Sequence, residues 1–229
     1  MSRRGEILKE MGLAPVWKLR TGVSQENSFP EEQEQAGAGT RQADILQMDW
    51  PQLRARVAGC TDCKLRAGCA QTVFGVGDEK AEWMLVGEAP GSEEDRLGEP
   101  FVGQAGRLLD NMLAAIGLAR DRNVYIANVL KCRPPANRNP EPDEIEQCAP
   151  YLLRQIGLVR PKLIVAMGRF AAQTLLGTDA TIASLRGRVH RYAGVPLIVT
   201  YHPAYLLRNL PDKAKAWADL LFARTTING

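Results

Sequence analysis

Side chains suited to a planar heterocycle stand near the ends of separate apolar runs in this chain. Phe101 offers a ring face for stacking, Asn128 an amide that both donates and accepts, and His202 an imidazole able to steady charge on a ring oxygen. Glu88 adds a carboxylate at the end of the first run. The richest stretch is Gly87 to Gly103, GEAPGSEEDRLGEPFVG, with four glycines, two prolines, five carboxylates and Phe101. A short apolar run that breaks into Gly and Pro reads as a buried strand ending in a loop, and such loops line the ligand crevice of an open α/β sheet.

The second group with chemistry is the cysteines. Cys60 and Cys63 form a CxxC, Cys69 follows, and Cys132 and Cys148 lie 16 residues apart. An odd count spread this widely suits a metal or cluster with one bystander better than two disulfides. Cys60, Cys63, Cys132 and Cys148 come from three segments and could pin the N-terminal helix to the second crossover unit. Zinc and a [4Fe-4S] cluster both accept four thiolates, and the spacing leaves the choice open. Cys69 is the spare, a packed thiol or a substitute for one of the four.

Four strand-like runs must position these groups. They are Trp83 to Val86, Val124 to Leu130, Leu163 to Met167 and Pro196 to Tyr201. Helical stripes follow three of them. Ala105, Leu108, Leu109, Met112, Leu113 and Ile116 form the first, and Ile145, Cys148, Leu152, Leu153 and Ile156 the second, opened by Pro142, Asp143 and Glu144. Phe170 to Leu176 is the third, and a last helix over Asp212 to Ala223 closes the pattern. Between the second strand and its helix, the four prolines of KCRPPANRNPEP forbid regular structure. Strand and helix alternating in this way predict a parallel sheet covered on both faces. Every strand's carboxyl end then lies on one edge, where Glu88, Phe101, Asn128 and His202 converge.

Upstream, Glu6 to Met11 could form a short helix and Val16 to Leu19 an extended piece. Thr21 to Arg41, rich in Gln, Glu, Ser and Gly, reads as a disordered linker. The folded body is expected to begin near Asp49, leaving residues 1–48 as an N-terminal extension. Length and composition are those of a globular protein: 229 residues, 24% charged and 45% hydrophobic. No apolar run approaches membrane-spanning length and no signal-peptide core follows Arg3 and Arg4, so a cytoplasmic location is expected. Residues 1–49 carry 6 basic and 8 acidic side chains, which leaves 23 and 18 for the remainder, a net +5 that permits a polyanionic partner. Neither GxxxxGK[ST] nor GxGxxG is present, so the usual phosphate-loop and dinucleotide-loop signatures are missing.

Taken together, GEAPG (87–91) followed by EED and PFVG, ANVLKCRPP (127–135), GVPLIVTYHPAYLLR (194–208) and the four ordered cysteines resemble the family-four, iron-sulfur uracil-DNA glycosylases. The resemblance runs from about Asp49 to Ala223. It implies a three-layer α/β/α sandwich with a parallel four-stranded sheet, and cleavage of the bond between uracil and deoxyribose in base-excision repair. It maps the uracil site onto Glu88, Ala89, Pro90, Phe101, Asn128 and His202. It maps the cluster ligands onto Cys60, Cys63, Cys132 and Cys148 and favours [4Fe-4S]. It also implies uracil-containing DNA as the partner of a monomeric enzyme.

Ala89 stands where classical members of the superfamily carry a water-orienting aspartate. The implied path is therefore largely dissociative. Uracil leaves as an anion stabilised by His202, while a carboxylate steadies the cationic sugar, Glu88 first and Glu94 or Asp95 second. The second motif contains no histidine, so turnover is expected rather than covalent capture. Tyr205, Leu206 and Leu207 are candidates for wedging into the base stack, although Leu206 and Leu207 could equally start the next helix and face the core. Arg133, Arg138, Arg186, Arg188 and Arg208 are candidate phosphate contacts. Two other classes compete. An iron-sulfur redox protein predicts a cycling cluster without base release, and a non-catalytic nucleic-acid-binding module predicts binding without abasic sites.

Overall fold

A computed structural model describes residues 41–228, so the expectations for Glu6 to Met11, Val16 to Leu19 and the linker before Arg41 lie outside the described residues. Within them a six-stranded sheet has the order β1-β3-β2-β4-β6-β5. The strands are β1 Val76–Gly77, β2 Trp83–Gly87, β3 Val124–Asn128, β4 Leu163–Met167, β5 His190–Tyr192 and β6 Val195–Thr200. The central four are parallel, as the alternating pattern predicts. The outer two, β1 and β5, pair antiparallel, so the sheet is mixed rather than purely parallel. Those edge strands have only two and three residues, too short to leave a periodic signal in the sequence.

The central strands are apolar up to the polar ends of β3 and β6, Asn128 and Thr200, because both faces are covered. Met84, Val86, Tyr125, Ala127, Ile164, Ala166, Leu197 and Val199 face one core, and Trp83, Leu85, Val124, Ile126, Leu163, Val165, Met167 and Ile198 face the other. Helices α1 (Trp50–Ala58), α4 (Pro142–Val159) and α5 (Arg169–Leu176) supply buried residues to the first core. Helices α3 (Gln104–Ala115) and α8 (Lys213–Asn228) supply the second. Each fully buried Leu, Ile or Val contributes about 1.5–3 kcal/mol, and the sandwich follows from covering both rows.

The packed body starts earlier than Asp49. Residues 41–47 are helical, Ile45 is fully buried in the first core, and Arg41 donates to both Asp62 and the Gln147 carbonyl. Two short helices, α2 (Ser92–Leu97) and α6 (Ile182–Leu185), are absent from the expected pattern, while α7 (Pro203–Arg208) carries Leu206 and Leu207 in line with their alternative reading as part of a helix. The EED segment is thus helical rather than loop.

Candidate active site

Adjacent strand ends build the site. Gly87 of β2 sits in register with Asn128 of β3, while the Gly168 N–H donates to the Thr200 carbonyl where β4 ends beside β6. Glu88, Asn128 and His202 are thereby carried to one edge. The Phe101 ring stacks on the His202 imidazole, with centroids 5.4 Å apart and planes inclined by 29°. Asn128 is 2% exposed, and its Oδ1 is buried without a hydrogen-bond partner. A buried acceptor left unpaired costs about 1–3 kcal/mol, so this atom points to a donor arriving from outside the chain.

Glycines give these groups room. A Cβ on Gly87 would lie 2.4 Å from Asn128 Oδ1 and 2.7 Å from the Phe101 ring. One on Gly106 would meet the Phe101 carbonyl oxygen at 1.7 Å. Phe101 itself has φ +57°, a conformation unfavourable for an aromatic residue unless the surroundings enforce it. Arg120 does so. Its guanidinium donates to the Pro100 and Phe101 carbonyls, each at 2.7 Å, and is held in turn by Asp110. Sequence reading missed Arg120 because it lies outside every motif, in the turn after α3. Arg120→Ala should release this turn and raise KM for a base stacked on Phe101 about tenfold, with a smaller change in kcat. Steady-state kinetics showing both constants within twofold of the parent would remove Arg120 from that role.

The His202 imidazole is neutral. Burial, with Arg208 nearby, pulls its pKa down to about 4 against a weaker opposing influence from Glu94. Nδ1 accepts from the Ala204 N–H at 3.1 Å, capping α7, which places the ring proton on Nε2. The ring is thus a hydrogen-bond donor at neutral pH. Thr200, two residues earlier, is anchored through Asp219, which Arg186 grips with two bonds. Burial pushes the Glu88 carboxyl up to about 7, with Arg169 opposing.

The other two carboxylates are engaged elsewhere. Glu94 accepts from the Gly91, Val102 and Gly103 N–H groups and so closes the loop on itself. Asp95 is buried and accepts from the Ala70 and Gln71 N–H groups. Both carboxylates thus also hold the loops around the site, and Glu94 lies near enough to His202 to act on its ring.

The candidate DNA contacts also divide. Leu206 is 1% exposed and belongs to the core, whereas its neighbour Leu207 is 38% exposed. Tyr205 stacks on Tyr201 and donates to Asp212. Arg138 is paired with buried Glu144, and Arg186 with Asp219. Arg133 is partly exposed and donates to Asn137. Arg188 and Arg208 are exposed, as is Arg169, another residue sequence reading did not single out.

All five cysteines are unbridged and lie in or against the first core. Burial, then Cys69, Cys148 and Cys63, push the Cys132 thiol well above its ordinary range, and burial with Cys63 and Cys60 raises Cys148 to about 11 despite the Lys131 N–H. The four predicted ligands pack in or against the same core as Cys69. Asp62 pins the CxxC loop. Burial would raise its carboxyl, but bonds from Arg41, Cys60 and Tyr151 hold it below the usual carboxylate range. No group of three or more His, Cys, Asp or Glu side chains among the described residues is gathered closely enough to hold a single metal ion. As a donor set, four unpaired thiols from three segments fit a thiolate-bound cluster.

The fold is thus a parallel-centred α/β sandwich with an aromatic, an orphaned amide acceptor and a neutral imidazole on one edge. The family model for the uracil DNA glycosylase superfamily matches residues 74–221, and the chain belongs to that superfamily. Its relatives include the type-4 uracil-DNA glycosylase of Archaeoglobus fulgidus, 50% identical over 66% of this chain and 79% of the relative. Those of Pyrobaculum aerophilum (43% identical; 76% and 92% covered) and Thermotoga maritima (44%; 70% and 84%) carry the same name.

Proposed function

We propose that this chain excises uracil from DNA as a monofunctional glycosylase, leaving an abasic site for repair. The observation that carries the reading is the orphaned Asn128 Oδ1 beside the Phe101–His202 stack. Uracil presents an N3–H to such an acceptor, whereas cytosine presents an unprotonated N3 and would leave it unpaired. The flipped base lies on Phe101 with Glu88, Ala89 and Pro90 along the adjacent loop, and the Asn128 amide N–H serves the O4 side.

As the C1′–N1 bond breaks, its electron pair leaves with uracil, and the His202 Nε2–H donates to the oxygen that gathers the charge. Water adds to C1′ and passes its proton to the Glu88 carboxylate, while the departing base is protonated on release. Exposed Leu207 and Arg208, on the helix that follows His202, fill the vacated stack and contact a phosphate in this reading, with Arg133, Arg169 and Arg188 as further backbone contacts. Cys60, Cys63, Cys132 and Cys148 would hold a [4Fe-4S] cluster, which would cross-link the segment after α1 to the second crossover. The partner is uracil-containing DNA, bound by a monomer. Among the described residues no helix is long and apolar enough to cross a membrane, and a cytoplasmic location accords with this role.

The test is an anaerobically purified sample incubated with a labelled oligonucleotide containing one deoxyuridine, followed by alkali. Strand cleavage at uracil and none in a thymidine control is expected. No cleavage by an iron-loaded sample overturns the reading.

Glu88 sets the pH dependence. Because its folded pKa is raised to about 7, the carboxylate needed as proton acceptor is lost as pH falls through that value, and single-turnover rates should rise with pH to a plateau above it. Glu88→Gln should lower the plateau by roughly 10²-fold and abolish that limb. A retained limb would assign it to another group.

A further inference from the structure

Behind Asn128 runs a buried polar chain that base reading leaves unexplained. Lys131 is 2% exposed, and its ammonium donates to the Asn128 main-chain carbonyl at 2.8 Å and to Gln155 Oε1 at 2.7 Å. Gln155, fully buried on α4, passes the connection to the Phe74 carbonyl and the Tyr125 hydroxyl. The Lys131 main-chain N–H donates to Cys148 Sγ at 3.4 Å, and the next residue is Cys132. One residue thus touches both the cysteine nest and the strand end that carries Asn128.

A buried ammonium with only neutral acceptors is costly, and an unbranched apolar side chain of similar length would fill the same space more cheaply. Its compensation is geometric. The bond to the Asn128 carbonyl fixes the peptide from which the base-reading amide projects, and the bond to Gln155 fixes the ammonium against α4, the helix that carries Cys148. We propose that Lys131 is a positioning residue through which the cysteine nest holds the Asn128 amide in register with the base. The inference rests on Asn128 as the base reader and gives the nest a second task beyond cross-linking the fold.

Lys131→Met and Gln155→Met, purified anaerobically, would be compared with the parent for iron and sulfide content, visible absorbance, kcat/KM on deoxyuridine and deoxycytidine oligonucleotides, and inhibition by free uracil. Lys131→Met is expected to keep its colour while kcat/KM on uracil falls about tenfold or more, the uracil-to-cytosine ratio falls in parallel, and uracil inhibits more weakly. A merely structural lysine would lower the melting temperature and leave the ratio and the inhibition constant unmoved. A coloured Lys131→Met with both within twofold of the parent overturns the proposal. Should Lys131→Met be colourless or unfolded, Gln155→Met decides, since it removes one acceptor and touches no cysteine ligand. Coloured Gln155→Met with a reduced ratio supports the proposal, and with parental discrimination it overturns it. A parent that releases no uracil marks failure of the glycosylase reading itself, and this inference falls with it.

Discussion

His202→Ala should lower single-turnover uracil release by about 10²–10³-fold while changing the affinity for uracil-containing DNA only a few-fold. The size follows from what the imidazole does. Its neutral Nε2–H meets a negative charge that exists mainly in the transition state, and removing one such preorganised donor costs about 2.7–4 kcal/mol. Alanine also deletes the Nδ1 cap of α7, about 1 kcal/mol. His202→Asn separates the two effects, because asparagine keeps an acceptor near the Ala204 N–H but is too short to place a donor where Nε2 stood. Both variants slow, with the asparagine variant thermally near the parent, is the expected pattern. A loss of DNA binding equal to the loss in rate would make His202 a structural residue. Because the ring protonates only near pH 4, its titration should leave no limb in the rate profile at neutral pH.

Cys132→Ser should bleach the protein and lower its melting temperature by at least about 10 °C. A structural metal centre contributes on the order of 10 kcal/mol to folding, and a domain of this size loses roughly 2–4 °C per kcal/mol. Cys69→Ser, at the neighbouring thiol, should stay coloured and melt within a few degrees of the parent. This pair tests the ligand assignment rather than thiol burial, since both side chains are buried in the same core. A coloured Cys132→Ser together with a bleached Cys69→Ser would exchange their roles.

Much of the positioning edge was legible in the sequence, and the reason is burial. Runs such as Leu163–Met167 are apolar at every position because both sheet faces are covered, and such runs end sharply where the chain meets the crevice. Glu88, Asn128 and His202 could therefore be located by counting from strand ends. Supports that act across the sequence were not legible. Arg120 reaches Phe101 from 19 residues away, and Gly106 looks like an ordinary helical glycine until the Phe101 carbonyl is seen against it. The backbone clamping by Glu94 and Asp95 was not legible either, because a carboxylate that holds backbone N–H groups carries the same letter as one that meets a substrate. Leu206 and Leu207 could not be told apart in advance. Successive helical residues turn by about 100°, which sends one inward and the next to solvent. The start of the body was missed because Ile45 stands in a polar stretch whose composition outweighed one turn of pattern.

The strand order has a consequence for the order in which the site comes into being. Strand β2 lies at the centre, β3 and β4 flank it, and β6 joins last, outside β4. A nascent chain released up to β4 could already pair the strands bearing Gly87 and Asn128, yet it has no imidazole, and the outer edge of β4 is bare. At 5–20 residues per second, the ribosome takes a few seconds to deliver β6 and His202. During that interval the unpaired edge of an apolar strand is open to any other nascent strand, so the same addition that completes the chemistry also ends the chain's exposure to misassembly.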